Sequence, residues 1–152
     1  MNNDLFELIF PGREERTLLK KETDNFIKKF RDLKTIKFVI GGSYAKGTWL
    51  SGNQEVDLFA KFDCKRYKNK NISNELKKLL TNKKINFEII HGSRDYFHFL
   101  NKDILFEVIP VLDIKNYTMA ENVTDVSPLH VTYVKKNTNK NLKKEIRLLK
   151  QF

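Results

Sequence analysis

The stretch that most restricts the fold of this chain lies between residues 35 and 57. A β-branched and aromatic run, Thr35 to Ile40, meets Gly41-Gly42-Ser43, and a second apolar run opens with Glu55-Val56-Asp57. The first run reads as a strand entering a tight turn, residues 43–50 as a short helix or turn, and Gln54 to Phe62 as the next strand. Side chains i and i+2 of a strand share a face, so Glu55 and Asp57 stand roughly 6 to 7 Å apart at the Cα level on the same side. Two glycines let the backbone approach a phosphate, and Ser43, placed to cap the short helix, adds a hydroxyl donor. The two carboxylates suit a pair of magnesium ions, which in two-metal sites lie about 3.5 to 4 Å apart. Taken singly, Gly-Gly-Ser is usually a turn and Glu-x-Asp usually a solvated strand face. Their order and spacing between apolar strands give them joint meaning.

The rest of the chain reads as mixed α/β. After Pro11-Gly12, the stretch to Lys34 places Leu18, Leu19, Phe26, Ile27, Phe30 and Leu33 on one helical stripe. A second helix is expected over Asn71 to Asn82. Three strands follow at Ile85 to His91, Tyr96 to Asn101 and Ile104 to Val111, with hairpin loops at Gly92-Ser93 and Asn101-Lys102-Asp103. Pro110 fits a strand end better than its middle. Ser127-Pro128 reads as an N-cap and first helical position, and Leu142, Ile146 and Leu149 mark a last helix over Asn139 to Phe152.

At 152 residues the chain allows one compact domain, and 40% hydrophobic residues with twelve Phe suffice for a core. The single cysteine, Cys64, excludes an internal disulfide and a Cys-rich zinc site. The amino terminus has an acidic residue where a signal peptide needs basic ones, and no segment approaches the ~20 apolar residues of a membrane span, so a soluble, cytoplasmic protein with no membrane partner is expected. The net charge of +10 is unevenly placed: residues 61–84 hold nine basic and two acidic side chains, and residues 134–152 seven and one. Two basic flanks around a carboxylate-bearing middle suit a protein that holds a polyanion and a metal together, its phosphate contacts strongly salt-dependent.

The order apolar, Gly-Gly-Ser, gap, acid-apolar-acid is similar to the signature of the DNA polymerase β-like nucleotidyltransferase superfamily. The longer string GSYAKGTWLSGNQEVDLF resembles one branch, the archaeal (class I) CCA-adding tRNA nucleotidyltransferases, whose form is GSYARGTWL, a polar link, then E-apolar-D-apolar-F. ILFEVIPVLDI at 104–114 resembles the strand bearing that family's third carboxylate, VTDVSPLHVTYV at 123–134 its Asp-x-Thr-Pro-x-His segment, and EIRLLKQF at 145–152 the start of its following helix. The resemblance implies a mixed small sheet flanked by helices. It assigns Glu55, Asp57 and Glu107 to catalysis and metal binding, with Glu107 in a place the family usually fills with Asp. It assigns Gly42, Ser43, Lys46, Ser127, His130 and Lys150 to the nucleotide. Lys46 stands where the family has Arg and keeps the charge without the bidentate fork.

Glu107 also stands out on residue type alone, since an acid between Phe106 and Val108 on an apolar strand is costly unless used. Asp113 and Asp125 read as turn or cap residues, Asp113 being the alternative ligand should Glu107 face away. His91 and His98 read as strand or hairpin residues.

The activity implied is transfer of nucleotides from NTPs (ATP, CTP) to an RNA 3′-OH, tRNA in first place, with Mg²⁺ as cofactor and Mn²⁺ able to substitute. Residues 1–126 are expected to form the catalytic unit and residues 127–152 to begin a further domain, because family members continue well past this length. A standalone enzyme, half of a split one and an excised domain all fit, and the abrupt LLKQF end suits a second polypeptide or self-association. An antitoxin-like enzyme that modifies a protein, and a non-catalytic nucleotide- or RNA-binding module, are the alternative functions.

Overall fold

The computed structural model describes residues 8–151. Its centre is β2 (Glu55–Asp63), held between antiparallel β1 (Ile36–Ile40) and parallel β5 (Ile104–Asp113). β4 (Tyr96–Asn101) and β3 (Glu88–Ile90) extend the sheet on the far side of β5, giving the order β1-β2-β5-β4-β3. Strand alternation divides the sheet into two unlike faces. Val56, Leu58, Ala60 and Phe62 of β2 and Ile104, Phe106, Val108 and Leu112 of β5 are fully buried on one face. Helices α1 (Arg13–Lys28) and α4 (Ile72–Asn82) cover that face through Leu19 and Phe26 and through Ile72, Leu76 and Leu80. Much of the Phe content is spent there: Phe26 lies 4.7 Å from Phe99 and 5.6 Å from Phe106 between ring centroids, and Phe30 lies 4.2 Å from Phe38.

The opposite face carries Asp57, Phe59 and Lys61 of β2 and Glu107, Ile109 and Val111 of β5. Here α5 (Ser127–Asn137) packs Val131 against Phe59 and Val111, so this helix rests directly on the sheet. The five-residue α2 (Gly42–Lys46) joins β1 toward β2, α3 (Cys64–Tyr67) follows β2, and α6 (Lys140–Leu149), capped by Asn139, closes the described chain. Among the described residues no helix is long and apolar enough to cross a membrane.

Local chemistry explains the boundaries. Glu15 accepts from Gly12 N at the start of α1 and also takes Ser51 Oγ (3.0 Å) and Gly52 N (2.7 Å), fixing the loop that leads into β2. The β4–β5 hairpin turns through Lys102 and Asp103 alone, both at positive φ (50° and 63°), the two-residue turn whose twist matches paired strands. Residues 85–87 do not join the sheet, so β3 is shorter than the apolar run suggested. Pro110 sits inside β5, opposite Ala60, rather than at a strand end. Leu105 N–H points to Gln54 O on the β2 side, so the even-numbered residues of β5 turn the other way. At Pro110 that side lies beyond the last β4 pair, and no ladder donor is lost.

The even-numbered rule also explains Asp125, which is buried and accepts Leu112 N–H (2.8 Å) along with Glu121 and Asn122 N–H (3.0 Å each). Its pair with the Arg94 guanidinium joins the β3–β4 loop to the turn before α5. Burial works to raise the Asp125 carboxyl, but Arg94 and these amides outweigh it and hold the group below its ordinary value of 3.8. Its contribution is therefore intact above pH 4 and is lost as pH falls through the native value. Asp125→Ala leaves Arg94 and several amides unpaired, a loss of about 3 to 5 kcal/mol. Thermal unfolding at pH 7 should show Tm lowered by about 10 °C; a Tm within two or so degrees of the parent contradicts this role.

Candidate functional site

The chain leaves β1 at Gly41, whose N–H bonds Asp57 O at 2.7 Å, drawing the turn against the start of β2. A Cβ on Gly41 would fall 2.4 Å from Phe59 Cε2, and one on Gly42, at φ 54°, would fall 1.4 Å from Asp57 Oδ2. Both glycines are thus required by the protein itself: they let side chains of β2 lie against the backbone of the turn. Gly47, at φ 71°, ends α2 in the left-handed conformation.

Parallel pairing places Glu107 directly opposite Asp57, and antiparallel pairing places His98 directly opposite Glu107. Asp57, Glu107 and His98 form one row across three strands, with Glu55 two residues below Asp57 on the same face. His98 Nε2 lies 2.6 Å from Glu107 Oε2. The contact could have been suspected from sequence only by fixing the β4–β5 register from the two-residue turn. Glu107 does not face away, and Asp113 is instead paired with Lys61 at 2.8 Å. Burial, followed by the charges of Glu107 and Glu55, pushes the Asp57 carboxyl up to about 6, with Lys46 and His98 acting in the opposite sense. Among the described residues no three His, Cys, Asp or Glu side chains converge as a ready-made metal cage. The donor set nonetheless fits a hard divalent cation: carboxylate oxygens on one face, mutually repelling.

Beside the carboxylates, Ser43, Lys46 and Thr48 form a cavity of about 340 Å³ with Val134 of α5, Ile146 of α6 and Lys150. Lys150 Nζ donates to Thr48 O at 3.0 Å, and Arg147 Nε donates to Trp49 O at 2.9 Å with its guanidinium 4.5 Å from the Phe10 ring. These two bonds fasten α6 to the loop after α2. Burial, with Lys46 and Arg147 adding to it, pushes the Lys150 ammonium down. Arg147 and Thr48 were not singled out from the sequence; an arginine on a polar helix carries no local sign of its role. Gly42, Ser43, Lys46 and Lys150 therefore gather around Asp57. Ser127 and His130 do not line this cavity, and His130 is exposed on the first turn of α5. The helix starts at Ser127 itself, one residue earlier than a Ser127 cap would require, with Val126 in the capping position. Of the two basic segments, 134–152 flanks the cavity. The other reaches this face through Lys61, while α4 with its exposed Lys77 and Lys78 lies on the opposite layer.

A glycine turn pressed on the first acid strand, with a third acid on the parallel neighbour, is the arrangement of a polymerase β-like nucleotidyltransferase fold. The Nucleotidyltransferase domain family matches residues 23–151, and the chain belongs to that family. Over 97% of its length it is 37% identical to the CCA-adding enzyme of Nanoarchaeum equitans (strain Kin4-M), covering 37% of that protein. It is 30% identical to the CCA-adding enzyme of Sulfolobus acidocaldarius over 97% of the chain, covering 35% of that relative. The chain thus spans little more than a third of the length of these relatives. The fold is shared with the Cid1 poly(U) polymerase, solved with Mg and 3′-dATP bound, at a TM-score of 0.62 and 16% identity over 97% of this chain and 44% of that one.

Two outcomes follow from the Gly42–Asp57 contact and the charge on Asp57. Gly42→Ala should destabilise the chain by several degrees in Tm. In an Asp57→Ala background only the left-handed strain of about 1 to 2 kcal/mol remains, so equal losses in both backgrounds would contradict the contact. The native Asp57 carboxyl, at about 6, lies above its ordinary 3.8, so its contribution is fullest below pH 3.8 and is lost as pH rises through 6. Asp57→Asn should therefore raise Tm at pH 7.5 without divalent cation, the gain vanishing near pH 4. A Tm unchanged or lowered at pH 7.5 is the contrary result.

Proposed function

We propose that the chain is the catalytic unit of an RNA 3′-terminal nucleotidyltransferase that adds nucleotides from ATP and CTP to a 3′-OH, with the tRNA 3′ end as acceptor. The observation that carries the reading is the row Asp57–Glu107 beside the Ser43–Lys46–Lys150 cavity, in a chain 37% identical over 97% of its length to an archaeal CCA-adding enzyme. Glu55, Asp57 and Glu107 would hold the divalent cation, Mg²⁺ with Mn²⁺ able to substitute. When bound, that cation supplies charge neutralisation and an acceptor hydroxyl of lowered pKa.

The protein residues bind and orient. Ser43 Oγ and the ammonium groups of Lys46 and Lys150 face the space a triphosphate would fill, and Thr48 and Arg147 keep Lys150 and α6 in place. Asp57, held over Gly42, sets the position of the carboxylate row relative to that space. The 3′ oxygen forms a bond to the α-phosphorus as the bond from that phosphorus to the bridging oxygen of pyrophosphate breaks, and no protein nucleophile takes part. The lysines of 134–152 sit where they can steer the acceptor backbone, a contribution that weakens with salt.

Incubation with a tRNA lacking its CCA end, each labelled NTP singly and Mg²⁺ tests the reading. Incorporation into RNA is expected, reduced about a hundredfold or more in Asp57→Ala, the scale for removing a group that acts on developing charge. Absence of incorporation, incorporation unchanged in Asp57→Ala, or label in a protein instead of RNA would overturn it.

A further inference from the structure

The acid opposite Asp57 is Glu, one methylene longer than the Asp that the resemblance leads one to expect. An added torsion gives the carboxylate more positions to lose when it binds a cation. We infer that His98 is the positioning residue that removes this freedom, fixing in one orientation the carboxylate of Glu107, the residue directly opposite Asp57. The inference rests on the assignment of Glu107 as a cation ligand and deepens it.

Four observations carry it. First, His98 and Glu107 are directly opposed on β4 and β5. Second, Leu105 hydrogen bonds toward β2, so Glu107 does likewise, and His98–Glu107 is a non-hydrogen-bonded pair. Cross-strand side chains approach most closely in such pairs. Third, Nε2 and Oε2 are 2.6 Å apart with both side chains mostly covered, 23% and 32% exposed. The imidazole can donate an N–H from Nε2 to Oε2, and Oε1 has no hydrogen-bond partner among the described residues. Fourth, the ring is itself held, its centroid 5.4 Å from that of Tyr96 in an edge arrangement. A shorter Asp at this position would draw its carboxylate back from the imidazole by about one bond length, about 1.5 Å, beyond hydrogen-bond range. His98 and Glu107 therefore work as a unit. The arrangement is that of an outer group orienting a ligand, whose removal costs about 10- to 100-fold in metal affinity.

The test is Mn²⁺ affinity of the full chain, read from the free-ion paramagnetic resonance signal without turnover, together with kcat and NTP KM. His98→Ala should weaken Mn²⁺ binding about tenfold or more and lower kcat, with NTP KM nearly unchanged, because the triphosphate cavity lies on the other side of Asp57. His98→Gln, which keeps an N–H donor, should restore part of the affinity. In a Glu107→Asp background His98→Ala should change affinity less than about twofold. Unchanged affinity in His98→Ala, no difference between His98→Ala and His98→Gln, or equal losses in the parent and Glu107→Asp backgrounds would overturn the inference. Glu107→Gln separates the two levels. If it weakens Mn²⁺ binding while His98→Ala does not, only the positioning role fails; if it too leaves binding unchanged, the ligand assignment fails. Tm and far-UV circular dichroism on each variant confine the comparison to folded protein.

Discussion

The parallel, in-register pairing of β2 with β5 is the constraint on which the rest of the molecule depends. It aligns Val56, Leu58 and Phe62 with Phe106, Val108 and Leu112 on the face that α1 and α4 bury, and by alternation it must align Asp57 with Glu107 on the other. A slip of one residue would put an acid into the apolar layer, so packing of the core and assembly of the site are one choice of register. The apolar face supplies the driving force that holds like charges together on its reverse side.

The site bears the marks of that arrangement. Asp57 rests on a glycine with no room for a Cβ, next to two further acids, and its carboxyl is raised accordingly. The same crowding concentrates carboxylate oxygens on one face, a repulsion that a divalent cation would relieve. Around it, distant parts of the chain are tied by single well-placed bonds: Glu15 to the loop before β2, Arg94 to Asp125, and Arg147 and Lys150 to the loop after α2. The third carboxylate is, with Lys46, a place where this chain departs from the pattern it resembles, and His98 stands beside it.

Much of this was legible in the sequence because it depends on local pattern. The β1 run, the glycine turn, the Glu-Val-Asp strand, the two amphipathic helices and the β4–β5 hairpin all announce themselves by periodicity or turn chemistry. What escaped depends on partners distant along the chain. Pro110 looked like a strand terminator because its free side is visible only once β4 is seen to stop short of it. His98 looked like an ordinary strand residue because its meaning is a register with Glu107. Arg147 reveals itself only against Trp49, and the fall of α4 on the back layer separates Lys77 and Lys78 from the carboxylates, which a linear tally of charge cannot show.

If Asp57 and Glu107, brought opposite one another by β2 and β5, form one cation site beside Gly42, a bound ion must sit between those strands and the glycine turn. Titrating the amide-resolved nuclear magnetic resonance spectrum with substoichiometric Mn²⁺ measures this directly, since broadening falls steeply with distance from the ion. The first signals lost should be those of residues 41–43, 55–57, 98 and 107, with Asp113 and Asp125 retained. Broadening centred on Asp113 or Asp125, or spread evenly over exposed acids, would contradict it.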